Sequence, residues 1–406
     1  MLEYLRSGEW LTGERLKIYP LMLLAVMGAT IVIWIAMSEG LVDPNGRPIG
    51  TDFSNVYAAG ELTLQGSPEA AYDPLLQHKA EQDSFDGRSV PFYGWHYPPM
   101  FLFIAAILAL FPYGWALFAW MALTLPAFLA VVHEIIPRKE SLILALAFPA
   151  VFINLGHGQN GFLTAALLGG SLLMLDRRPL IAGVLIGLLV YKPQFGILIP
   201  LVLVATGRWQ VFAAASVTVL ALCAATVAAF GTDIWMAFME STAFTRNVVL
   251  ENGGTGWEKI QSVFSATRMW GAGVPAAYAT QLAMAVAIAS SLVGLWRSDA
   301  AFALKAAALA TGCVLATPYV LDYDLVVLAL PIAFVASHGL KHGFRDFEIS
   351  LLAVFWATPL IARSIAGATH IPLGLFAMLG LYVLIMRRAT SDLSTSATRS
   401  SPLAQT

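Results

Sequence analysis

Apolar runs of about 15 to 25 residues recur along nearly the whole chain, each long enough to cross or dip into a hydrocarbon layer of about 30 Å. Their apolar residues circle the helix instead of forming one stripe, so no polar face is left for water. A soluble fold would need that face. Of the 406 residues, 58% are hydrophobic and only 12% charged, where soluble domains carry about 25% charged residues. The expected fold is therefore an all-α polytopic membrane protein with about 11 to 13 membrane segments.

The runs cover approximately 18–37, 99–111, 115–136, 142–155, 162–175, 180–205, 211–230, 275–296, 301–317, 325–336, 349–361 and 371–386. Two long polar stretches interrupt them, 38–97 and 231–274. Residues 1–388 read as one transmembrane domain. Residues 389–406, rich in Ser, Thr and Ala, read as a disordered tail. A net charge of −2 gives no reason to expect nucleic acid as a partner. Cys223 and Cys313 sit inside apolar runs and read as packing residues, with neither a disulfide framework nor a thiolate metal site. No small-residue cleavage site follows the first run, which reads as a retained helix.

Lys and Arg near helix ends stay on the cytoplasmic side. Arg6, Arg15, Lys17 and Arg387–Arg388 thus point to cytoplasmic termini, with 38–97 and 231–274 outside. Simple alternation of spans breaks the rule by putting Arg138–Lys139 and Arg177–Arg178 outside. A second threading repairs both violations. The stretch 99–111 is short and can dip and return. The stretch 180–205 is broken at Tyr191-Lys192-Pro193-Gln194, where Pro193 lacks a backbone donor and disfavours helix at Lys192. Two half-helices would then form a hairpin. That threading also brings Gly158-Gln159-Asn160 and Lys192 to the outer side, beside the first loop.

The first loop contains Thr51-Asp52-Phe53-Ser54-Asn55-Val56-Tyr57. Phe53, Val56, Tyr57 and Leu64 recur at helical spacing, which suits an amphipathic helix lying on the membrane surface. Asp52 stands at its N-terminus, either as an N-cap or as a reactive carboxylate. Gly94-Trp95-His96-Tyr97-Pro98-Pro99 returns the chain to the bilayer; its aromatics suit the interface, with His96 among them. Asn154, His157, Gln159 and Asn160 cluster within an otherwise apolar region. Lys192 lies deep in its run, at a cost of about 2.5–3.5 kcal/mol for a charge at mid-membrane. It reads either as a snorkelling residue at a helix break or as a cation that holds a phosphate. Asp322-Tyr323-Asp324 reads as a dipole-stabilised helix start, with metal binding as the lesser reading. The second loop mixes Arg246, Glu251, Asn252, Trp257, Glu258, Lys259 and Arg268, a composition that suits sugars and phosphates and is also ordinary for a loop.

Taken in order, Asp52-Phe53 with Tyr57 and Gly66, Tyr72-Asp73, Tyr97-Pro98-Pro99, Gly158-Gln159-Asn160, Lys192-Pro193 and the segment led by Pro318 resemble glycosyltransferase family 87 over about residues 50 to 335. These are membrane enzymes of the GT-C superfamily that use polyprenyl-phosphate sugars, typically mannose. The resemblance implies a GT-C-type fold whose large first extracytoplasmic loop carries a juxtamembrane helix and the catalytic Asp, and only Asp52 matches that position. It implies a hexosyltransferase of the bacterial inner membrane, with Asp52 as general base and inversion at the sugar. The donor is a lipid-linked sugar acting as co-substrate, the acceptor a lipid or glycan hydroxyl, and neither cofactor nor metal is expected. The candidate substrate-binding residues are Tyr57, His96, Tyr97, His157, Gln159, Asn160, Lys192, Arg246, Arg268, Asp322 and Asp324. Lys192 is the first choice for the leaving phosphate, followed by Arg246 or Arg268. The chain departs from the family where many members carry a His after the late Pro; Asp322-Tyr323-Asp324 stands there, so that role is either lost here or met by another group such as His96 or His370. Two other classes compete: a secondary transporter, which would show matched helix breaks in both halves, and a non-catalytic partner in envelope assembly.

Overall fold

The computed structural model describes residues 2–400, with side chains through residue 394. Among the described residues the chain is helical, with three isolated β-bridges and no named strand. Six helices are long and apolar enough to span a membrane: Arg15–Ala36, Tyr113–Ile135, Trp209–Phe230, Val274–Arg297, Asp322–His342 and Leu373–Ser394. Two bent pairs raise this to eight, Lys139–Leu146 with Pro149–His157 at 52° and Glu348–Leu360 with Ala362–Thr369 at 71°. Shorter apolar helices complete the bundle. Large apolar side chains such as Met22, Val26, Trp115, Leu220 and Leu282 point outward, an arrangement that water penalises and lipid accepts. The protein is an all-α, multi-pass membrane protein.

Ion pairs fix which helix ends lie together. Lys17 meets Glu140, Arg177 meets Glu134, Arg208 meets Asp176, and Arg6 meets Asp346. Both basic loops, Arg138–Lys139 and Arg177–Arg178, therefore share one end with the N-terminal cations, which is the second threading. The two short segments explain how. The helices Pro99–Phe101 and Leu102–Ala109 begin and end beside the first loop, because the Tyr57 hydroxyl donates to the Phe111 carbonyl and Tyr113 donates to Ile49. The stretch Pro179–Ala205 breaks at Lys192, where φ −127° and ψ 70° leave the helical region, and returns to the end it came from.

Two expectations change. The first-loop helix, Phe53–Leu64, does not lie on a surface: Phe53 through Gly60 are all buried. It packs so closely on Leu102–Ala109 that a side chain at Gly60 would strike the Ala105 backbone. The dipping segment supplies a second apolar face that spacing alone could not reveal. The tail after Arg388 does not begin as disorder either, since the last helix runs Leu373–Ser400. Arg388 is buried against Glu348 at 2.7 Å and also bonds Asp392, which Arg345 and His338 share. Residues 401–406 of the expected tail lie outside the described residues.

Candidate active site

The basic ends leave the opposite face of the bundle to the first loop, and there the candidate residues converge on Asp52. The N-cap reading of Asp52 fails, because its carboxylate makes no capping hydrogen bond to the helix it precedes. Its oxygens turn sideways instead. Gln159 donates its amide to Oδ2 at 2.9 Å, His157 Nδ1 lies 3.6 Å from Oδ1, and the Lys259 ammonium lies 3.8 Å from Oδ2. Two distant stretches of chain, 157–159 and Lys259, thus meet at one carboxylate that is 7% exposed. Burial opposes its charge, but the Lys259 cation, then His157, and hydrogen bonds from His157 and Gln159 hold it well below the usual carboxylate range. The group is a buried anion.

Local chain geometry explains each neighbour. The helix Pro149–His157 ends at Gly158 in the left-handed region, φ +60°, and a Cβ there would come within 2.6 Å of the Phe53 Cβ. Glycine lets the chain reverse against Asp52, so that Gln159 points inward. Gln159 is then fixed from its other side, because its carbonyl oxygen accepts the Tyr97 hydroxyl at 3.2 Å and the Asn160 N–H at 3.1 Å. The Thr51 hydroxyl lies 2.7 Å from His157 Nδ1 and orients the ring, its donor role depending on the tautomer. Lys259 arrives through backbone pairing: Gln261 N–H donates to Val320 and Asp322 N–H donates to Lys259, with a bridge between Ile260 and Leu321.

Lys259 was not among the residues expected to act, and its placement depends on that contact across some sixty residues of sequence. Composition offered one signal, a cation inside an aromatic loop. Tyr323 is the second residue the sequence left out. Its ring sits 5.5 Å from the Lys259 ammonium, 5.4 Å from the Lys192 ammonium and 5.8 Å from the His157 ring.

Lys192 is buried but not free, since its ammonium donates to Asp324 Oδ1 at 2.6 Å, and Asp324 Oδ2 accepts the Leu321 N–H. Asp322 faces Arg363 at 3.3 Å and accepts the Tyr323 N–H. The two acids therefore serve different cations, and no group of three or more His, Cys, Asp or Glu able to hold a metal occurs among the described residues. Arg246 is exposed and 3.6 Å from Glu251. Arg268 donates to the backbone of Ala272 and Glu251 and lies 5.1 Å over the Trp257 ring. Tyr57 is used structurally, through Phe111 and edge contacts to Tyr113. His370 is exposed, and its carbonyl accepts the Trp270 indole.

Two features look unfinished without a ligand. Asn160 is 2% exposed, yet among the described residues neither its amide nitrogen nor its oxygen has a hydrogen-bond partner, which is rare for a buried amide. A cavity of about 200 Å³ is lined by His96, Ser241, Thr242, Thr245, Arg246 and Tyr319. One wall is a π-helical turn, Thr245–Glu251, a distortion frequent at functional sites. His96 holds Thr245 at 2.7 Å, and burial pushes its pKa down to about 4, so at neutral pH it is an uncharged hydrogen-bonding group.

Comparison with known proteins supplies the family. The profile of glycosyltransferase family 87 matches residues 95–318, more than half of the chain. That stretch holds Gln159, Asn160, Lys192 and Lys259, while Asp52 precedes it. No curated protein and no solved structure matches the chain. The chain belongs to glycosyltransferase family 87 and is a membrane glycosyltransferase.

Proposed function

We propose that this enzyme moves a hexose, mannose in the first instance, from a polyprenyl-phosphate carrier to the hydroxyl of a lipid or glycan acceptor. The reaction takes place at the extracytoplasmic face of a bacterial inner membrane, with both termini in the cytoplasm. The clustering of basic loops at the end opposite Asp52 supports that sidedness. A carrier whose tail stays in lipid presents its sugar at the boundary where Asp52 lies.

The observation that carries the reading is the Asp52 carboxylate itself. It is buried, ionised and free of any capping duty. Asp52 takes the proton from the acceptor hydroxyl as that oxygen bonds to the anomeric carbon. The bond from that carbon to the phosphate oxygen breaks, and its electrons leave with the lipid phosphate. A single displacement inverts the anomeric configuration. Lys259 is the best-placed cation for the leaving phosphate, since its ammonium donates no hydrogen bond among the described residues and is not locked as Lys192 is. As the ammonium swings toward phosphate it leaves Asp52, which makes the carboxylate a stronger base when the donor is in place. Asn160 is available to sugar hydroxyls.

Incubation of the purified protein with radiolabelled polyprenyl-phosphate mannose and a membrane lipid extract tests this reading. A new labelled glycolipid with an inverted linkage is expected. A labelled product of retained configuration removes the single-displacement mechanism, and no product with any polyprenyl-phosphate hexose removes the donor class.

A further inference from the structure

At the opposite end of the molecule, among the basic loops, a cavity of about 670 Å³ opens between the first long helix, Arg15–Ala36, and the segments Lys139–Leu146, Ala329–His342 and Glu348–Ala357. Its lining is apolar, with Leu16, Ile136, Leu144, Ile332, Phe344 and Trp356 among the walls. The size falls in the range of about 300–1,000 Å³ typical of small-ligand sites. The first helix is almost unburied by protein along its length, so the cavity faces the space that lipid fills.

Its mouth is charged. Arg15 and Arg138 both line it, both are exposed, and neither forms an ion pair within 4.0 Å among the described residues, although Glu140 at the same mouth also feels the charge of Arg138. Arg15 donates only to the Trp10 carbonyl. Lys17, between them, is neutralised by Glu140 at 3.3 Å. Arg15, Lys17 and Arg138 against the single acid Glu140 thus leave an excess of positive charge over an apolar slot, and the guanidinium fork suits a phosphate oxygen pair. Basic pockets between membrane helices bind anionic lipid headgroups.

We propose that this slot is a binding site for an anionic glycerophospholipid, one acyl chain lying between the first helix and the Phe344–Trp356 wall and the headgroup phosphate on Arg15 and Arg138. The site is separate from Asp52 and independent of the transfer reaction.

Native mass spectrometry of the full chain in detergent, titrated with dioleoylphosphatidylglycerol or dioleoylphosphatidylcholine, tests it. A preference for phosphatidylglycerol of about thirtyfold is expected from two surface cations. The Arg15→Gln/Arg138→Gln protein should lose the preference while still binding phosphatidylcholine. Ala336→Phe, which fills the slot, should reduce retention of both lipids. Equal retention of the two lipids by the wild type, or an unchanged preference in the double variant, overturns the proposal. Displacement of phosphatidylglycerol by undecaprenyl phosphate at equal concentration would overturn it too, by making the slot a carrier-lipid site. Because none of these readouts involves sugar transfer, a failure here is distinguishable from a failure of the Asp52 mechanism.

Discussion

Two buried Lys–Asp pairs flank the Tyr323 ring, and they are built differently. Lys192 and Asp324 meet at 2.6 Å, the second oxygen of Asp324 takes a backbone N–H, and the ammonium also lies 5.5 Å from the Phe195 ring. Every charge there has a partner, and the pair joins the broken stretch around Lys192 to the 3₁₀ turn Asp322–Leu328. Lys259 and Asp52 stand 3.8 Å apart, beyond hydrogen-bond reach, and Asp52 leans on the Gln159 amide instead. A closed pair stabilises a fold. On the proposed mechanism, an open pair leaves the cation for the donor's phosphate and the anion for the acceptor's hydroxyl proton. The more conspicuous lysine in the sequence is therefore the one held in the tighter pair.

The comparison breaks most visibly at the closed pair. Lys192→Met alone leaves Asp324 buried without its cation, which should cost about 3–5 kcal/mol. The readout is the loss of monodisperse protein on gel filtration or a large fall in Tm. Lys192→Met combined with Asp324→Leu should recover most of that loss, because replacing both charges with apolar groups is often neutral. A single variant as stable as wild type would show that the pair is no staple.

At the open pair the effect should appear in rate. Lys259→Gln should lower Tm less than Lys192→Met does, because Asp52 keeps the Gln159 amide and His157 beside it, and should lower transfer by about 10²–10³-fold. Since Lys259 helps hold the Asp52 carboxyl down, its removal should also move the acid limb of the pH–rate profile to higher pH. An unmoved limb would separate Lys259 from the base.

Glu81 offers a smaller test. It is buried within the first loop, accepts the Tyr93 N–H, and is pushed up to about 9, chiefly by burial. A carboxyl whose folded value lies above its ordinary one stabilises the fold fully below about 4.5, and that contribution is lost as pH rises through about 9. Thermal stability should therefore fall between pH 7 and 9.5, and Glu81→Gln should flatten the decline. A slope identical in the variant would remove Glu81 as its source. Smallest of all is Arg246→Gln at the exposed pair with Glu251. Stability should shift by at most about 1 kcal/mol, with a few-fold rise in KM for the donor if the cavity beside it is a subsite.

How much of this was legible in the sequence follows the range of each interaction. Membrane passage, the break at Lys192-Pro193 and the gathering of basic loops are local or nearly so, and hydropathy, proline chemistry and charge placement carry them. Gln159 and Asn160 were visible as polar residues in a region that taxes them, and Asp52 as the acid at the start of the loop helix whose reactive role the family resemblance implied. Their mutual contacts were not, because Gly158 and the pairing of 259–261 with 320–322 bring together stretches far apart in the chain. The same limit explains the loop helix: its apolar spacing spoke of burial but not of the dipping segment that buries it. Lys192 shows the same limit. A lone intramembrane cation suggests function by default, and only the structure puts Asp324 against it.

The most direct test of the account is the Asp52→Asn protein in lipid nanodiscs, given labelled polyprenyl-phosphate mannose and an acceptor lipid fraction. Donor retention should match wild type, because the substitution keeps size and burial, while transfer should fall by about 10²–10⁴-fold, the range a general base supplies. Transfer within a few-fold of wild type, with insertion and donor retention intact, would contradict the role assigned to Asp52.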